Sequence, residues 1–239
     1  MSHSNRFIPV LQIDKRRLIK TVQFKPTRYL GDPLNAIRVF NLKGVSELVI
    51  TDIHATQTKV IDFEFLKKLS SQAFVPLSYG GGVSSIDDVH KLYDVGFDRI
   101  LFGTSAIQNH ALITETARIY GSQSVICSLD VRDDKITYQG NKKKARGLDI
   151  STIIKNFVDE GAGEILLHDV ERDGTYQGLN YDLIRSISKL SSVPVIVNGG
   201  AKSMEDMRQA IAAGASAVAS GSLFSFYGKH KAVLINYGV

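Results

Sequence analysis

The chain has 239 residues, 44% of them hydrophobic and 22% charged, proportions of a soluble globular protein able to bury a sizeable core, which exclude extended disorder. The length fits one or two ordinary domains and also lies near the ~250 residues typical of a single α/β barrel. A formal net charge of +5 fits an anionic small molecule, an acidic partner or nucleic acid; the lysines and arginines are spread out, and the one dense run, Lys142 to Lys144 with Arg146, falls in an expected loop, which argues against nucleic acid.

The apolar runs, Ile211 to Val218 among them, are too short to cross a bilayer, and the opening MSHSNRF lacks the apolar core of a signal peptide. The expectation is a cytoplasmic protein with no membrane partner. The lone Cys127, inside the apolar run SVICSL, excludes an intrachain disulfide and reads as a small core residue. The six histidines show no metal-ligand spacing, so no metal and no cofactor is expected.

In chain order, short β-branched runs bounded by Gly or Asp alternate with amphipathic stretches: FIPVLQI, ELVITDI, VPLSY, DRILFG, SVICSLD, EILLHDV, VPVIVN and AVAS. Such alternation is the pattern of consecutive βα units on a parallel sheet. Eight of them in a chain this long predict a closed (β/α)₈ barrel, a single domain over residues 1–239.

The chain also repeats itself. VPLSYGGGVSSIDDV from Val75 matches VPVIVNGGAKSMEDM from Val193 at an offset of 193 − 75 = 118, and the register holds Gly81/Gly199, Gly82/Gly200, Ser85/Ser203, Asp88/Asp206 and Gly103/Gly221 as identities. GVSELVITD from Gly44 matches GAGEILLHD from Gly161 at 117. Two half-barrels of four units each, about residues 1–120 and 121–239, account for both offsets.

Gly80, Gly81 and Gly82 follow strand 3, and Gly199 and Gly200 follow strand 7. Glycine there permits close backbone approach to a ligand, although tight βα turns favour glycine in any case. Gly103 and Thr104 after strand 4, and Gly221 and Ser222 after strand 8, add a second element to each half. Loops after strands 7 and 8 are the common phosphate site of this fold, and the repeat predicts a mate after strands 3 and 4. The expected substrate is a small molecule carrying a phosphate, or a similar anion, at both ends.

The paired half-barrels, SLDV at strand 5, GAGEILLHDVERDGT at strand 6 and the VNGGA loop resemble the cyclase subunit of imidazole glycerol phosphate synthase, the HisF family, over nearly the whole chain. The resemblance implies ammonia made by a separate glutaminase docked at the N-terminal face, passed through the barrel and used at the C-terminal face. There the family cleaves and cyclises a two-phosphate ribulosyl substrate. Its catalytic pair is an Asp at the end of strand 1 and another at the end of strand 5. Asp130 matches the second; the first falls on Gln12, and 130 − 12 = 118 agrees with the repeat. An amide cannot shuttle a proton, and a general acid or base contributes roughly 10²–10⁴ in rate, so the departure bears on activity. Asp14 points to the same side as Gln12 but lies further along, in the expected loop.

By the same resemblance Lys20 and Phe24 on the first loop, and Asp173, Gly174 and Thr175 after strand 6, contact substrate. Asp52 and Asp169, repeat mates at the ends of strands 2 and 6, either join them or cap the helices that follow. His54 and His168 stand where Thr is expected and imply an altered pocket. The ending after Phe226 is short for the family, so the last helix is expected to be abbreviated.

Charge also marks the opposite end. Arg6 precedes strand 1, and Glu47, Arg99 and Glu164 open strands 2, 4 and 6. They are either solvated strand-start charges or a ring of alternating sign across the barrel mouth. They match the family's ammonia gate, and Asp98 matches a residue that pairs with the glutaminase. The reading is therefore a HisF-like paralogue working with a glutaminase in amidating a surface-polysaccharide sugar, with a separate sugar amidotransferase as a further partner. The alternatives are a true histidine-biosynthetic cyclase, the sister isomerase barrel, and a non-catalytic docking barrel that conducts ammonia.

Overall fold

The computed structural model describes residues 5–133, 135–138, 143–144 and 149–238. Eight parallel strands form the barrel: strand 1 (Arg6–Asp14), strand 2 (Leu48–Asp52), strand 3 (Leu77–Gly80), strand 4 (Arg99–Phe102), strand 5 (Val125–Arg132), strand 6 (Glu164–Asp169), strand 7 (Val195–Asn198) and strand 8 (Ala217–Ser220). Each pairs with the next, and strand 8 pairs back to strand 1 with Ala217 opposite Arg6, so no edge is left unpaired.

Helices follow strands 1 to 7 on the outside, the longest spanning His110–Tyr120. Their starts are set by side-chain caps that satisfy otherwise unpaired first-turn N–H groups, from Asp32, Asp62, Ser85, Asn109, Asp149, Asn180 and Ser203. The repeated Ser and Asp of the sequence are part of this system. Ser85 and Ser203 each accept from the N–H of the Asp three residues on, while Asp88 accepts from Ser84 and Ser85, and Asp206 from Lys202 and Leu179. After strand 8 comes one short helix, Ser222–Ser225, then a small hairpin, Phe226–Tyr227 with Ala232–Val233. The tail returns along the barrel wall, where the Tyr237 hydroxyl donates to the Phe7 carbonyl at 2.9 Å. The hairpin and tail stand where the first half has its outer helix His110–Tyr120, so among the described residues no outer helix follows strand 8.

Alternation along the strands separates two apolar layers. Outward residues such as Phe7, Leu11 and Ile13 join the larger core against the helices. Inward residues, among them Ile8, Val10, Val49, Leu101, Ile126 and Leu166, fill the barrel interior as a separate cluster. Cys127 is fully buried in the outer core, and burial pushes its thiol up.

Strands 1 and 5 both continue into antiparallel extensions at the C-terminal rim. Gln12 lies opposite Ile19 in the first and Asp130 opposite Thr137 in the second, both members shifted by 118. The basic run expected in a loop is corrected in part: Lys143–Lys144 pairs with Thr137 and Tyr138 as a short strand of that second extension. Lys142 and Arg146 lie outside the described residues.

Candidate functional site

Because inward positions recur every second residue, strand 1 presents Arg6, Ile8, Val10 and Gln12 to the interior in succession, from charge through apolar filling to a polar rim. The charges at the N-terminal end form a closed ring. Arg6 donates to both Glu47 oxygens at 2.8 and 3.1 Å and to both Glu164 oxygens at 2.5 and 3.3 Å. Arg99 completes it at 2.7 Å from Glu164 and 3.5 Å from Glu47. Both glutamates are buried. Burial works against the Arg6 cation, but hydrogen bonds and charge from Glu47 and Glu164 outweigh it and raise its pKa. Asp98 stands apart, exposed, its Oδ2 accepting from the Leu77 N–H at 2.8 Å.

At the other end, the paired glycines are dictated first by the protein's own backbone. Gly81, Gly82, Gly199 and Gly200 all have positive φ, and a Cβ there would lie 2.5 Å from Asp52 O, 2.5 Å from Ala55 O, 2.3 Å from Asp169 O and 2.6 Å from Gly178 O. The short helices Thr104–Gln108 and Ser222–Ser225 are repeat mates that begin at Gly103 and Gly221, neither of which supplies a side-chain cap. Around the second pair the loops enclose a small polar pocket lined by Asp173, Gly174, Tyr176, Gly199, Gly200, Gly221 and Ser222 among others. Thr175 turns back on its own loop, its hydroxyl donating to Arg172 O at 2.7 Å.

Gln12 lies at the rim end of the inward row. Its Oε1 accepts from the Thr21 N–H at 2.9 Å and the Thr21 hydroxyl at 3.1 Å. The next residue on that extension, Lys20, is buried and donates to both Asp173 oxygens at 3.0 Å and to Thr21 O at 2.7 Å. Lys20 and Asp173 are thus brought together, clamping the first loop to the loop after strand 6. Gln23 reinforces the clamp through its N–H to Asp173 O at 3.0 Å, at a two-residue turn in which Gln23 and Phe24 both have positive φ. Non-glycine residues take that conformation only at a cost. Here it sets the Phe24 ring edge-on to His168, centroids 5.1 Å apart.

His168 is the residue whose importance the sequence understated. It is buried on strand 6 directly beside Asp130 of strand 5, with Nδ1 3.6 Å from Asp130 Oδ1 and Nε2 3.8 Å from Asp173 Oδ1. Burial opposes its charge, but Asp130 and Asp173 outweigh burial and raise its pKa to about 9. Burial likewise opposes ionisation of Asp173, and His168 with Lys20 overcomes it and lowers the pKa. The spacing of His168 from Asp130 across two adjacent strands is a register relation, visible only once the strands are paired.

Asp52 caps the short helix Ile53–Thr58, and Asp169 closes a turn rather than a helix start. Asp52 Oδ1 accepts from the Ala55 N–H at 2.8 Å, and Asp169 Oδ1 from the Arg172 N–H at 3.2 Å; burial raises both pKa values. Asp14, at the outer end of strand 1, faces His54 at 3.9 Å.

Fold and site together define a (β/α)₈ barrel with a closed charge ring at one end and a carboxylate–histidine–lysine network at the other. A family model described as histidine biosynthesis protein matches residues 6–231, and the chain belongs to that family. It is 38% identical over 241 residues to a protein of Leptospira borgpetersenii provisionally named as imidazole glycerol phosphate synthase subunit HisF, covering 97% of this chain and 94% of that one. A Pseudomonas aeruginosa protein provisionally named as subunit hisF2 is 37% identical over 245 residues, 97% and 95% covered. The Micrococcus luteus imidazole glycerol phosphate synthase subunit HisF is 35% identical over 236 residues, 95% and 92% covered.

Proposed function

We propose that this chain is the HisF-type synthase subunit of a glutamine amidotransferase, a paralogue that serves amidation of a sugar in surface-polysaccharide synthesis. In this reading a glutaminase docks on the face carrying Asp98 and the ring of Arg6, Glu47, Arg99 and Glu164. Ammonia enters where the ring parts and crosses the apolar interior as the neutral molecule, because burying an unpaired ammonium there is costly. It is used at the C-terminal rim on a substrate whose two phosphates rest on Gly82/Thr104 and Gly200/Ser222.

One observation carries the reading: the closed ring is kept at one end while Gln12, its carbonyl committed to Thr21, stands in place of a carboxylate at the other. The test is to supply the purified chain with ammonium and the ribulosyl substrate of the cyclase. Slow turnover supports the paralogue; robust turnover supports the second reading, a histidine-biosynthetic cyclase. A chain that stimulates a glutaminase yet consumes no substrate is a docking barrel that hands ammonia to a separate amidotransferase. Phosphate soaked into crystals should occupy both loop pairs, and two empty loop pairs would remove the two-phosphate substrate.

A further inference from the structure

The internal repeat sets a titratable pair in the second half of the barrel against a neutral pair in the first. Asp130 and His168 are register neighbours on strands 5 and 6. Their repeat mates, by 130 − 12 = 118 and 168 − 51 = 117, are Gln12 and Thr51, which are register neighbours on strands 1 and 2. The first-half pair is neutral: the Gln12 carbonyl is committed to Thr21, and the buried Thr51 hydroxyl has no hydrogen-bond partner. The second-half pair joins a carboxylate to an imidazole at 3.6 Å. His168 Nε2, also buried and without a hydrogen bond, is aimed at Asp173, which Lys20 holds.

We propose that Asp130 and His168 are the acid–base pair of this site, in place of two carboxylates on opposite sides of the barrel. The inference rests on the reading that ammonia is used at this rim. The substrate class is a phosphorylated carbonyl compound, which ammonia converts to an imine with release of water and no further co-reactant. As the ammonia nitrogen bonds to the carbonyl carbon, Asp130 takes a proton from that nitrogen and the His168 Nδ1–H protonates the oxygen. The proton returns from Asp130 to His168 across the 3.6 Å contact. A second round of the same exchange breaks the carbon–oxygen bond and releases water, leaving both residues as they began. The charged groups facing His168 are Asp130 on strand 5, Asp169 at the end of strand 6, Asp173 in the loop beyond it, and Lys20 on the first extension, and the carboxylates keep it cationic up to about pH 9.

The test combines single-turnover kinetics at high protein concentration, with ammonium and the ribulosyl substrate, and ¹⁵N NMR of the histidine side chains. His168→Gln and Asp130→Asn should each lower the single-turnover rate by about 10²–10⁴ with little change in substrate affinity, and the double variant should lose little more than either. The native rate should fall at high pH as His168 loses its proton, a limb absent from His168→Gln. The His168 imidazole should be protonated at neutral pH in native protein and titrate lower in Asp130→Asn. A His168→Gln rate equal to native, or an imidazole neutral at neutral pH, overturns the pair; NMR on native protein decides even if the variants fail to fold. An inert native protein overturns the ammonia-using reading itself, and the catalytic role with it.

Discussion

Gln12 grips Thr21 twice through a single carbonyl oxygen, from the backbone N–H at 2.9 Å and from the hydroxyl at 3.1 Å. The amide therefore ties the first extension to strand 1 and offers no group that titrates near neutral pH. A carboxylate at this position retains both acceptor interactions and adds a titratable group. Gln12→Asp should accordingly fold and should raise turnover of the ribulosyl substrate with ammonium, by at most about 10²–10⁴. Asp130→Asn in the Gln12→Asp background should abolish the gain. A Gln12→Asp protein no faster than native would show that position 12 is not limiting.

The network around His168 makes stability depend on pH in a defined window. The folded pKa is raised to about 9, above the unfolded value of roughly 6.5. Stability from the charged imidazole is thus fully present below the unfolded value and is lost as pH rises through the folded one. Melting temperatures of native protein and His168→Gln should differ most near pH 6 and converge by about pH 9, with roughly 2–4 °C for each kcal/mol in a domain of this size. A difference that stays constant across this range would mean that His168 is neutral when folded.

The charge ring invites a stability test of its own. Removing Arg6 leaves the buried Glu47 and Glu164 with Arg99 alone, at 3.5 and 2.7 Å. Breaking a buried ion pair from one side costs about 3–5 kcal/mol. The Arg6 side chain is 29% exposed, so Arg6→Met should fall at or below the lower end of that range in urea unfolding. Adding Glu164→Gln should recover part of the loss, because it removes one of the stranded charges. If Arg6→Met costs nothing, the ring is not energetically coupled.

Much of this was legible in the sequence because it depends on local chemistry or on periodicity. The eight strands follow from alternation, and the positions of Arg6, Glu47, Arg99 and Glu164 at strand starts left a ring as one of two readings, which the structure decides. The repeat reappears in the strand registers, at 118 in the two extensions and at 117 for the strand 2 and strand 6 members. What stayed hidden depends on pairing between distant segments. Lys20 reads as a substrate contact in the sequence, yet its ammonium is held by Asp173, 153 residues away. His168 reads as a changed pocket residue, and its relation to Asp130 exists only through the strand 5–strand 6 register. The paired glycines suggest phosphate cradles, while the structure shows that Gly82 and Gly200 are first required by Ala55 O and Gly178 O. The matched Ser and Asp of the repeat are helix caps.

The docking face can be tested at Asp98, provided its local role is separated from its charge. Asp98 is exposed, yet its Oδ2 accepts from the Leu77 N–H at 2.8 Å, and its own N–H donates to Leu77 O at 2.9 Å. Asp98→Lys reverses the charge and also removes an acceptor at the start of strand 3. Asp98→Asn removes the charge and keeps the acceptor. If a glutaminase docks here, calorimetric titration should show Asp98→Lys binding at least about tenfold more weakly, most of the change arising from a slower on-rate that high salt diminishes. Asp98→Asn should fall between native and Lys while melting at the native temperature. A loss confined to Asp98→Lys and accompanied by a lower melting temperature would trace to the Leu77 hydrogen bond, and unchanged binding in both variants would place the glutaminase on another face of the barrel.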